Sequence, residues 1–261
     1  MRDGATRHDY REQAARYDRT RGASPSILRP LARMLEGAPG RELLDVAGGT
    51  GNYAAALAGL EYRPTVLDAS DAMLERARRK GLAAVRADSS NLPFDDASFD
   101  AVVNCSALHL IPAWREALAE MRRVLKPGGR LAVMVYTREN LDVHWVFRYF
   151  PSTRAWIYPE HQTLDEILGE LPGATVKPFE FTDVIDASMS AMCRHPRLLL
   201  DRDWRMQTSY FERLERDDPE AASEGLAALE RDLADGVRPD EAVAELRAQY
   251  GDGTILGWVK P

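Results

Sequence analysis

The chain has 261 residues, of which 45% are hydrophobic and 29% are charged, and its formal net charge is -7. This composition can bury a hydrophobic core and argues against a disordered chain. The acidic balance argues against nucleic acid as a partner, because negative surfaces repel phosphate backbones. The first residues lack the apolar stretch of a signal peptide, no run has membrane-spanning length, and the two cysteines lie outside any metal-ligand spacing. We therefore expect a soluble cytoplasmic protein with no membrane partner and no metal site.

A helical pattern near the start of the chain gives way to a regular alternation of strands and helices. Residues 1–40 contain a helical stretch, His8–Arg21, and a turn at Ala38-Pro39-Gly40. Short apolar runs then predict the strands Leu43–Val46, Thr65–Asp68, Ala83–Ala87, Asp100–Asn104 and Arg130–Tyr136. The intervening patterns predict the helices Asn52–Leu60, Asp71–Lys80 (capped by Ser70) and Pro112–Leu125 (with proline first). This alternation predicts a doubly wound α/β fold with a parallel sheet over residues 41–137.

The second half of the sequence is less regular. Residues 138–160 are rich in aromatic side chains, Thr163–Glu170 has a helical pattern, and Thr175–Thr182 has the pattern of a sixth strand. Residues 184–250 are mostly helical, and Thr254–Val259 predicts a final strand. A long helical segment between two late strands is expected to cover one edge of the sheet, where such folds bind ligands.

A glycine loop follows the first predicted strand, and the acid before it indicates the kind of ligand. The run Gly49–Ala54 satisfies the G-x-G-x-x-A pattern of dinucleotide binding, although a tight strand–helix turn gives the same pattern. Asp45, at the end of the strand, would face a dinucleotide pyrophosphate at short range and repel it. A ligand with an ammonium or sulfonium group would be attracted instead. Asp45 therefore favours a cationic cofactor, and S-adenosylmethionine carries both groups.

Two further carboxylates stand at the ends of the next predicted strands. Asp68 ends strand two and is placed to accept hydrogen bonds from ribose hydroxyls, and Asp88 follows strand three and can accept from an adenine amino group. Either acid alone would more often be a helix cap or a loop acid. Because the carboxyl ends of parallel strands meet at one edge of the sheet, the three acids together predict one nucleoside-binding site.

Four motifs occur in order along the chain: LLDVAGGTG (43–51), TVLDAS (65–70), RADSSNLPFDDASFDAVVNCSALHLI (86–111) and MRRVLKPGGRLAVM (121–134). Over residues 41–137 they resemble the class I S-adenosylmethionine-dependent methyltransferases, most closely the small-molecule, type 11-like group. The resemblance implies a Rossmann-like sheet of seven strands in the order 3-2-1-4-5-7-6, with strand seven antiparallel. It also implies S-adenosylmethionine as cofactor and S-adenosylhomocysteine as its product.

The resemblance assigns cofactor roles to individual positions. Those for the methionine moiety are Asp45, Ala47, Gly48, Gly49, Gly51 and Asn104; for the ribose, Asp68; for the adenine, Ala69, Met73, Asp88 and Ser89; and for an N-terminal lid over the cofactor, Tyr17 and Arg21. One position departs from the family pattern, because the first glycine of the loop is Ala47 here. Alanine is tolerated there if its φ stays negative, and on that condition we expect cofactor binding to be retained.

Methyl transfer needs a general base only if the acceptor must lose a proton. His109, in the loop after strand four, is the candidate base, and loop packing is the alternative. His161 and His195 show no partner pattern. Candidate substrate contacts in the second half are His144, Trp145, Tyr149 and Met189, although packing of the cap against the sheet is the preferred explanation for side chains of these types.

The sequence thus predicts four parts: a helical lid (1–40), a cofactor-binding core (41–137), a substrate cap (138–250) and a final strand (251–261). The predicted function is methylation of an oxygen, nitrogen or carbon atom of a small metabolite. The large cap favours a specialised natural-product metabolite as substrate, and we expect a monomer or a homodimer. One alternative is a non-methylating descendant that binds the cofactor, such as a cyclase or an accessory subunit. A dinucleotide-dependent oxidoreductase is a further alternative, against which Asp45 counts.

Overall fold

The computed structural model of the chain describes Asp18 and residues 20–261. The candidate lid residue Tyr17, and most of the helix predicted over His8–Arg21, lie outside the described residues.

The centre of the molecule is a seven-stranded sheet in the order β3-β2-β1-β4-β5-β7-β6. Its strands are β1 (Glu42–Val46), β2 (Arg63–Asp68), β3 (Ala83–Arg86), β4 (Phe99–Cys105), β5 (Leu125–Val135), β6 (Thr175–Phe179) and β7 (Gly253–Val259). The first five strands pair in parallel, and β7 runs antiparallel to both of its neighbours, β5 and β6. The predicted fold class, strand order and antiparallel final strand are confirmed.

Helices cover both faces of the sheet. The α-helices that accompany the strands are Pro25–Met34, Asn52–Ala58, Asp71–Arg79, Trp114–Val124 and Leu164–Glu170. Those of the cap are Arg138–Asp142, Arg154–Ile157, Met189–Met192, Arg202–Arg205, Ser209–Asp217, Pro219–Ala234 and Ala244–Tyr250. Short 3-10 turns span Leu108–Leu110, Trp145–Arg148, Pro151–Thr153, Tyr158–Glu160, Pro196–Leu200 and Glu241–Val243.

Three local expectations differ from the structure. The helix predicted to begin at Pro112 begins at Trp114. Ser70 occupies the N-cap position of its helix, but its side chain makes no capping hydrogen bond, and its backbone N–H donates to Asp68 Oδ1 over 2.8 Å. Strand β5 begins at Leu125 instead of Arg130, because Leu125 pairs with Phe99 ahead of a register shift in the ladder. Local sequence propensity predicts the first and last residues of a helix or strand poorly where contacts with distant residues determine them.

The alternation of side chains along the strands builds two hydrophobic layers. On one face Leu44, Val102 and Leu131 pack with the helix Trp114–Val124. On the other face their neighbours, Leu43, Ala101 and Ala132 among them, pack against the helix Pro25–Met34. Each residue points opposite to the next in a strand, so consecutive apolar residues of β1, β4 and β5 fill both layers.

The cap has a hydrophobic core of its own. Phe150 and Phe211 lie at its centre with their rings edge to face, 5.4 Å apart between centroids. No helix in the described part of the chain is long and apolar enough to span a membrane.

Candidate functional site

The switch point of the sheet lies between β1 and β4. From β1 the chain proceeds to β2 and β3 on one side, and then to β4 and β5 on the other. Loops that leave the carboxyl ends of β1 and β4 therefore diverge, which opens a crevice of the kind where doubly wound folds bind ligands. Asp45 and Asn104 stand at this point, since Asp45 pairs with Val103, the residue before Asn104.

Two buried oxygen atoms at this switch point have no hydrogen-bond donor in the described part of the chain. They are Asp45 Oδ1 and Asn104 Oδ1. The Asn104 side chain is held by its other atom, because Nδ2 donates to the Val46 carbonyl over 2.8 Å. Burial, together with the nearby Asp68 carboxylate, raises the pKa of Asp45 to about 7. Two enclosed acceptors, one of them an acid, form a site for a cationic N–H donor.

The loop after β1 wraps closely around Asp45. The Gly48 N–H donates to the Leu67 carbonyl over 3.1 Å, and the Gly49 N–H donates to Asp68 Oδ2 over 2.9 Å. A Cβ atom on Gly48 would lie 2.5 Å from Asp45 Cγ, so only glycine allows the backbone to approach that carboxylate.

Replacing Gly48 with alanine is expected to displace the Asp45 side chain. The added methyl group overlaps the carboxylate, so we expect Gly48→Ala to weaken cofactor binding by about tenfold or more and to lower the free energy of unfolding by about 1–3 kcal/mol. Titration calorimetry and urea denaturation measure the two effects. The matched control is Gly169→Ala, because a Cβ atom there meets no atom within 4 Å. Unchanged binding in Gly48→Ala would contradict the tight fit around Asp45.

Ala47 adopts a φ of +53°. The expectation that its φ stays negative is wrong. The loop follows the course that a glycine would take, and the alanine adopts the left-handed region at a cost of about 1–2 kcal/mol. The methyl group is accommodated at the edge of a cavity that Ala47 lines.

The other expected cofactor residues lie along the loop and the ends of β2 and β3. Asp68 accepts the N–H groups of Gly49 and Ser70, and burial raises the pKa of its carboxyl. Asp88 is exposed, and hydrogen bonds from the Ser90 N–H and hydroxyl lower its pKa. Met73 and Ser89 are buried, whereas Ala69 is exposed. Asp88 and Ala69 thus mark an open edge beside the buried residues, and none of the five lines the adjacent cavity.

That cavity lies between the ends of β1 and β4 and the cap. The expected site residues among those lining it are Arg21, Asp45, Ala47, Gly48, His109, His144 and Met189. Its far wall comes from the cap, including Trp156, Tyr210 and Arg213. The structure thus joins the methionine-moiety positions to three of the five residues predicted for the base and substrate.

Trp145 and Tyr149 do not line the cavity, which corrects their expected role in substrate binding. Both belong to the hydrophobic core of the cap, with their rings edge to face at 5.8 Å. The Trp145 indole donates to the Cys193 carbonyl over 2.8 Å, and the Tyr149 hydroxyl donates to Asp232 over 2.7 Å. The polar end of each ring is therefore satisfied inside the cap, as buried Trp and Tyr require.

Three histidines line the cavity, and burial lowers the pKa of each one. The effect is strong for His109, and it brings the pKa of His144 to about 3. His109 stacks on His161 with ring centroids 4.4 Å apart, and His144 Nε2 lies 2.8 Å from the Ser190 hydroxyl. The site thus presents neutral imidazoles at neutral pH. In the described residues no group of three or more His, Cys, Asp or Glu can hold a metal ion.

The chain just before the first described helix closes one side of the site. Arg21 forms an ion pair with Asp186 over 2.8 Å, and the Ala187 N–H donates to the Thr20 carbonyl. Lys80 binds Asp18 over 2.7 Å and the Thr50 carbonyl over 2.8 Å. Sequence reasoning missed Asp186, Lys80 and His161. Asp186 and Lys80 pair with residues distant in the chain, and His161 stacks on His109, which is also distant, so no local pattern marks them.

These features define a doubly wound α/β protein with a switch-point site for a cationic nucleoside cofactor. Residues 44–133 match the methyltransferase domain family. The chain carries a class I S-adenosylmethionine-dependent methyltransferase domain, as its motifs predicted, and S-adenosylmethionine is the cofactor of this class.

The similar proteins share the fold and differ in extent. The ubiquinone/menaquinone biosynthesis C-methyltransferase UbiE of Brucella anthropi is 40% identical over 130 residues, which cover 43% of this chain and 49% of that protein. The chain thus spans about half the length of the curated relatives it matches.

Two solved structures have a similar fold over most of the chain. One is described as a methyltransferase assigned to an antibiotic biosynthesis pathway of Anabaena variabilis, with a TM-score of 0.72 at 22% identity, covering 92% of this chain and 99% of that one. The other is the methyltransferase in a complex with the Haloferax volcanii Trm112 methyltransferase activator. It has a TM-score of 0.60 at 20% identity and covers 98% and 100% of the two chains.

Proposed function

We propose that this protein transfers a methyl group from S-adenosylmethionine to a small molecule held in the cavity under the cap. The observation that carries the proposal is a pair of buried acceptors at the switch point of the sheet, Asp45 Oδ1 and Asn104 Oδ1, which have no donor among the described residues. An ammonium group supplies the donors and the charge that both atoms lack. Asp45 also borders the cavity, so a cofactor bound through it reaches the space where an acceptor fits.

The residues present fit this cofactor. Asp45, Asn104 and the Gly48 backbone would hold its methionine end, Asp68 its ribose, and the open edge at Asp88 its adenine. The bound cofactor supplies an electrophilic methyl group, already activated by the sulfonium charge. The protein therefore has to position the acceptor and exclude water. The Arg21–Asp186 ion pair supports closure on the N-terminal side.

The lining of the cavity and the size of the cap bear on which kind of small molecule accepts the methyl group. Methyl transfer to an oxygen, nitrogen or carbon atom is compatible with neutral imidazoles along the cavity. A cap over residues 138–250, with its own hydrophobic core, favours a bulky specialised metabolite. The relatives named for C-methylation in ubiquinone and menaquinone biosynthesis support a second candidate, a quinone-pathway compound. The match to these relatives covers less than half of this chain, so their methyl acceptor cannot be assigned to it from the similarity alone.

Calorimetric titration with S-adenosylmethionine and, separately, with NAD tests the cofactor. We expect S-adenosylmethionine to bind and NAD to show no binding, because its pyrophosphate would face Asp45. Mass spectrometry of metabolite extracts incubated with the protein and the cofactor then tests the reaction, as a mass gain of one methylene group. Cofactor binding without any such gain across many extracts would favour the non-methylating alternative. Binding of NAD alone would overturn the proposal.

A further inference from the structure

Another histidine of this cavity, His161, is better placed than His109 to accept a proton from the methyl acceptor. Three imidazoles line the cavity, and they differ in what their ring nitrogens contact. The inference rests on the proposed methyl transfer, because a base matters only when an acceptor O–H or N–H loses its proton.

The tautomer of His161 is determined by the backbone. This residue follows the short turn Tyr158–Glu160, and its Nδ1 lies 3.0 Å from the Ile157 carbonyl oxygen. A carbonyl oxygen only accepts hydrogen bonds, so Nδ1 carries the hydrogen atom and Nε2 carries the lone pair. Within the described part of the chain Nε2 makes no hydrogen bond, and it is not among the atoms sealed from the cavity. His161 therefore offers an accessible acceptor to a ligand.

The other two imidazoles lack this arrangement. His144 Nε2 is engaged with the Ser190 hydroxyl, and its Nδ1 is buried with no hydrogen-bond partner in the part of the chain that the structure describes. His109 stacks on His161 with an angle of 12° between the rings, and it contacts no group that would orient its tautomer in the described residues. It functions as a flat support that holds the His161 ring in place.

The charges around His161 also favour it over His109 as a proton acceptor. Glu160 and the Ile157 carbonyl both stabilise a protonated His161, and Arg138 opposes it. Protonation of His109 is opposed by His161 and by Arg21. Glu160 is itself paired with Arg213 over 2.8 Å. Because burial lowers the pKa of His161, this ring is neutral at pH 7 and able to accept a proton.

We propose that Nε2 of His161 accepts the proton of the methyl acceptor, and that the acceptor is a hydroxylated aromatic ring lying in the cavity beside the His109–His161 stack. Two further aromatic side chains, Trp156 and Tyr210, line the same cavity with ring centroids 5.3 Å apart, and they favour an aromatic acceptor. Flat apolar walls and one fixed hydrogen-bond acceptor select a planar molecule that donates an O–H.

The step balances without another reactant. As the O–H proton moves to His161 Nε2, the electron pair it leaves behind forms the new bond to the methyl carbon, at the oxygen or at a ring carbon conjugated with it. A ring carbon that is methylated then loses its own hydrogen to water as a second proton, and the electron pair of that C–H bond restores the aromatic ring as a phenolate. The electron pair of the cleaved carbon–sulfur bond stays on sulfur. Protonated His161 then releases its proton to water.

The first test needs neither cofactor nor turnover. In protein labelled with ¹⁵N-histidine, long-range ¹H–¹⁵N spectra distinguish the two tautomers of each ring. We expect His161 to be protonated at Nδ1 at pH 7, and His161→Gln assigns the signal by its disappearance. A His161 protonated at Nε2 would overturn the assignment of this residue as the base, whatever the protein proves to methylate.

The second test uses 4-nitrophenol as the probe, because its visible absorbance reports the ionised phenolate. We expect the wild-type protein to bind it and to raise its ionised fraction. His161→Phe keeps a flat ring and removes the acceptor, so binding is expected to weaken about tenfold, with loss of the added ionisation. The matched control for a histidine substitution is His195→Gln, at an exposed position away from the cavity, which should leave both unchanged. Failure of the wild-type protein to bind 4-nitrophenol would overturn the proposal that the methyl acceptor is a hydroxylated aromatic ring.

Turnover separates a base from a structural residue. With S-adenosylmethionine present, His161→Phe is expected to lower methyl transfer to 4-nitrophenol by about 100-fold or more. It should also abolish the rise in rate with pH that deprotonation of His161 produces, leaving only the rise that follows ionisation of 4-nitrophenol itself. A rate that keeps the wild-type pH dependence in the variant would overturn the proposal. Titration with S-adenosylmethionine is run in parallel. If the wild-type protein does not bind this cofactor, the proposed function fails, and the result does not count against His161.

Discussion

Asp45→Asn is expected to weaken binding of S-adenosylmethionine by about 100-fold or more while making the ligand-free protein more resistant to heat. Asparagine has nearly the shape of the aspartate, so the glycine loop can keep its course. The variant lacks the negative charge that the ammonium group of the cofactor would meet in a buried site. Loss of one partner of such a pair costs about 3–5 kcal/mol, which is 100-fold or more in affinity.

The gain in stability follows from the raised pKa of Asp45. Its pKa is about 7 in the folded protein against 3.8 for the free side chain. A group with a raised pKa contributes stability below its unfolded value, and that contribution is lost as the pH rises through the folded value. Each pKa unit corresponds to about 1.4 kcal/mol, so above pH 7 the ionised carboxylate costs the ligand-free fold up to about 4 kcal/mol. Burying the asparagine amide costs about 1–3 kcal/mol, so the free energy of unfolding of the ligand-free variant rises by about 1–3 kcal/mol above pH 7.

Differential scanning calorimetry at pH 8 and pH 5 measures this effect. We expect Tm to rise by several degrees at pH 8, and by less at pH 5, where Asp45 is already protonated in the fold. The control is Asp95→Asn, at an exposed position where burial imposes no such cost. An Asp45→Asn protein that binds S-adenosylmethionine as tightly as the wild type would refute the charge argument.

Arg247→Met is expected to lower the free energy of unfolding by about 3–5 kcal/mol. Arg247 lies in the last helix of the cap, and its Nε donates to Asp252 Oδ1 over 3.1 Å just before β7. Both side chains are buried, and the other Asp252 oxygen accepts the Phe181 N–H. Removal of the guanidinium leaves an enclosed carboxylate with one hydrogen bond, and the remaining cation near it, Arg194, is half-buried at 3.8 Å. This pair therefore ties the cap to the sheet.

Urea denaturation at two pH values measures the loss. Burial already raises the pKa of Asp252, and removal of Arg247 raises it further. The variant is therefore expected to lose more stability at pH 8 than at pH 5, because a lower pH favours the uncharged form of the Asp252 carboxyl. Adding Asp252→Asn to Arg247→Met should restore most of the loss. As a control, Arg79→Met disrupts an exposed ion pair with Glu75 and should cost less than about 0.5 kcal/mol.

The sequence was most informative over residues 41–137, where strands and helices alternate at short intervals. There each element has its own hydrophobic period, and the chain order of strands and crossovers leaves few ways to build the sheet. The meaning of Asp45 was predictable for the same reason, because its position relative to the glycine loop is local. Ala47 shows the limit of this reasoning, since the demand for a positive φ comes from the packing of the loop against Asp45 and Leu67.

The cap was predicted only as helical and aromatic, because its contacts join distant segments. An aromatic residue has the same local pattern whether it lines a cavity or packs in a core, and the partners of Trp145 and Tyr149 decide that they pack. Their hydrogen-bond partners lie 48 and 83 residues away along the chain.

The sequence by itself determined the sheet, the glycine loop and the preference for a cationic cofactor, since all three follow from periodicity and charge over short distances. Only the tertiary structure decided how the acceptor side of the site is built. It joined Arg21 to Asp186 across 165 residues, stacked His109 on His161 and moved two expected substrate residues into the core of the cap. The physical reason is that these side chains acquire their roles from burial and from partners distant in the chain, which only folding brings together.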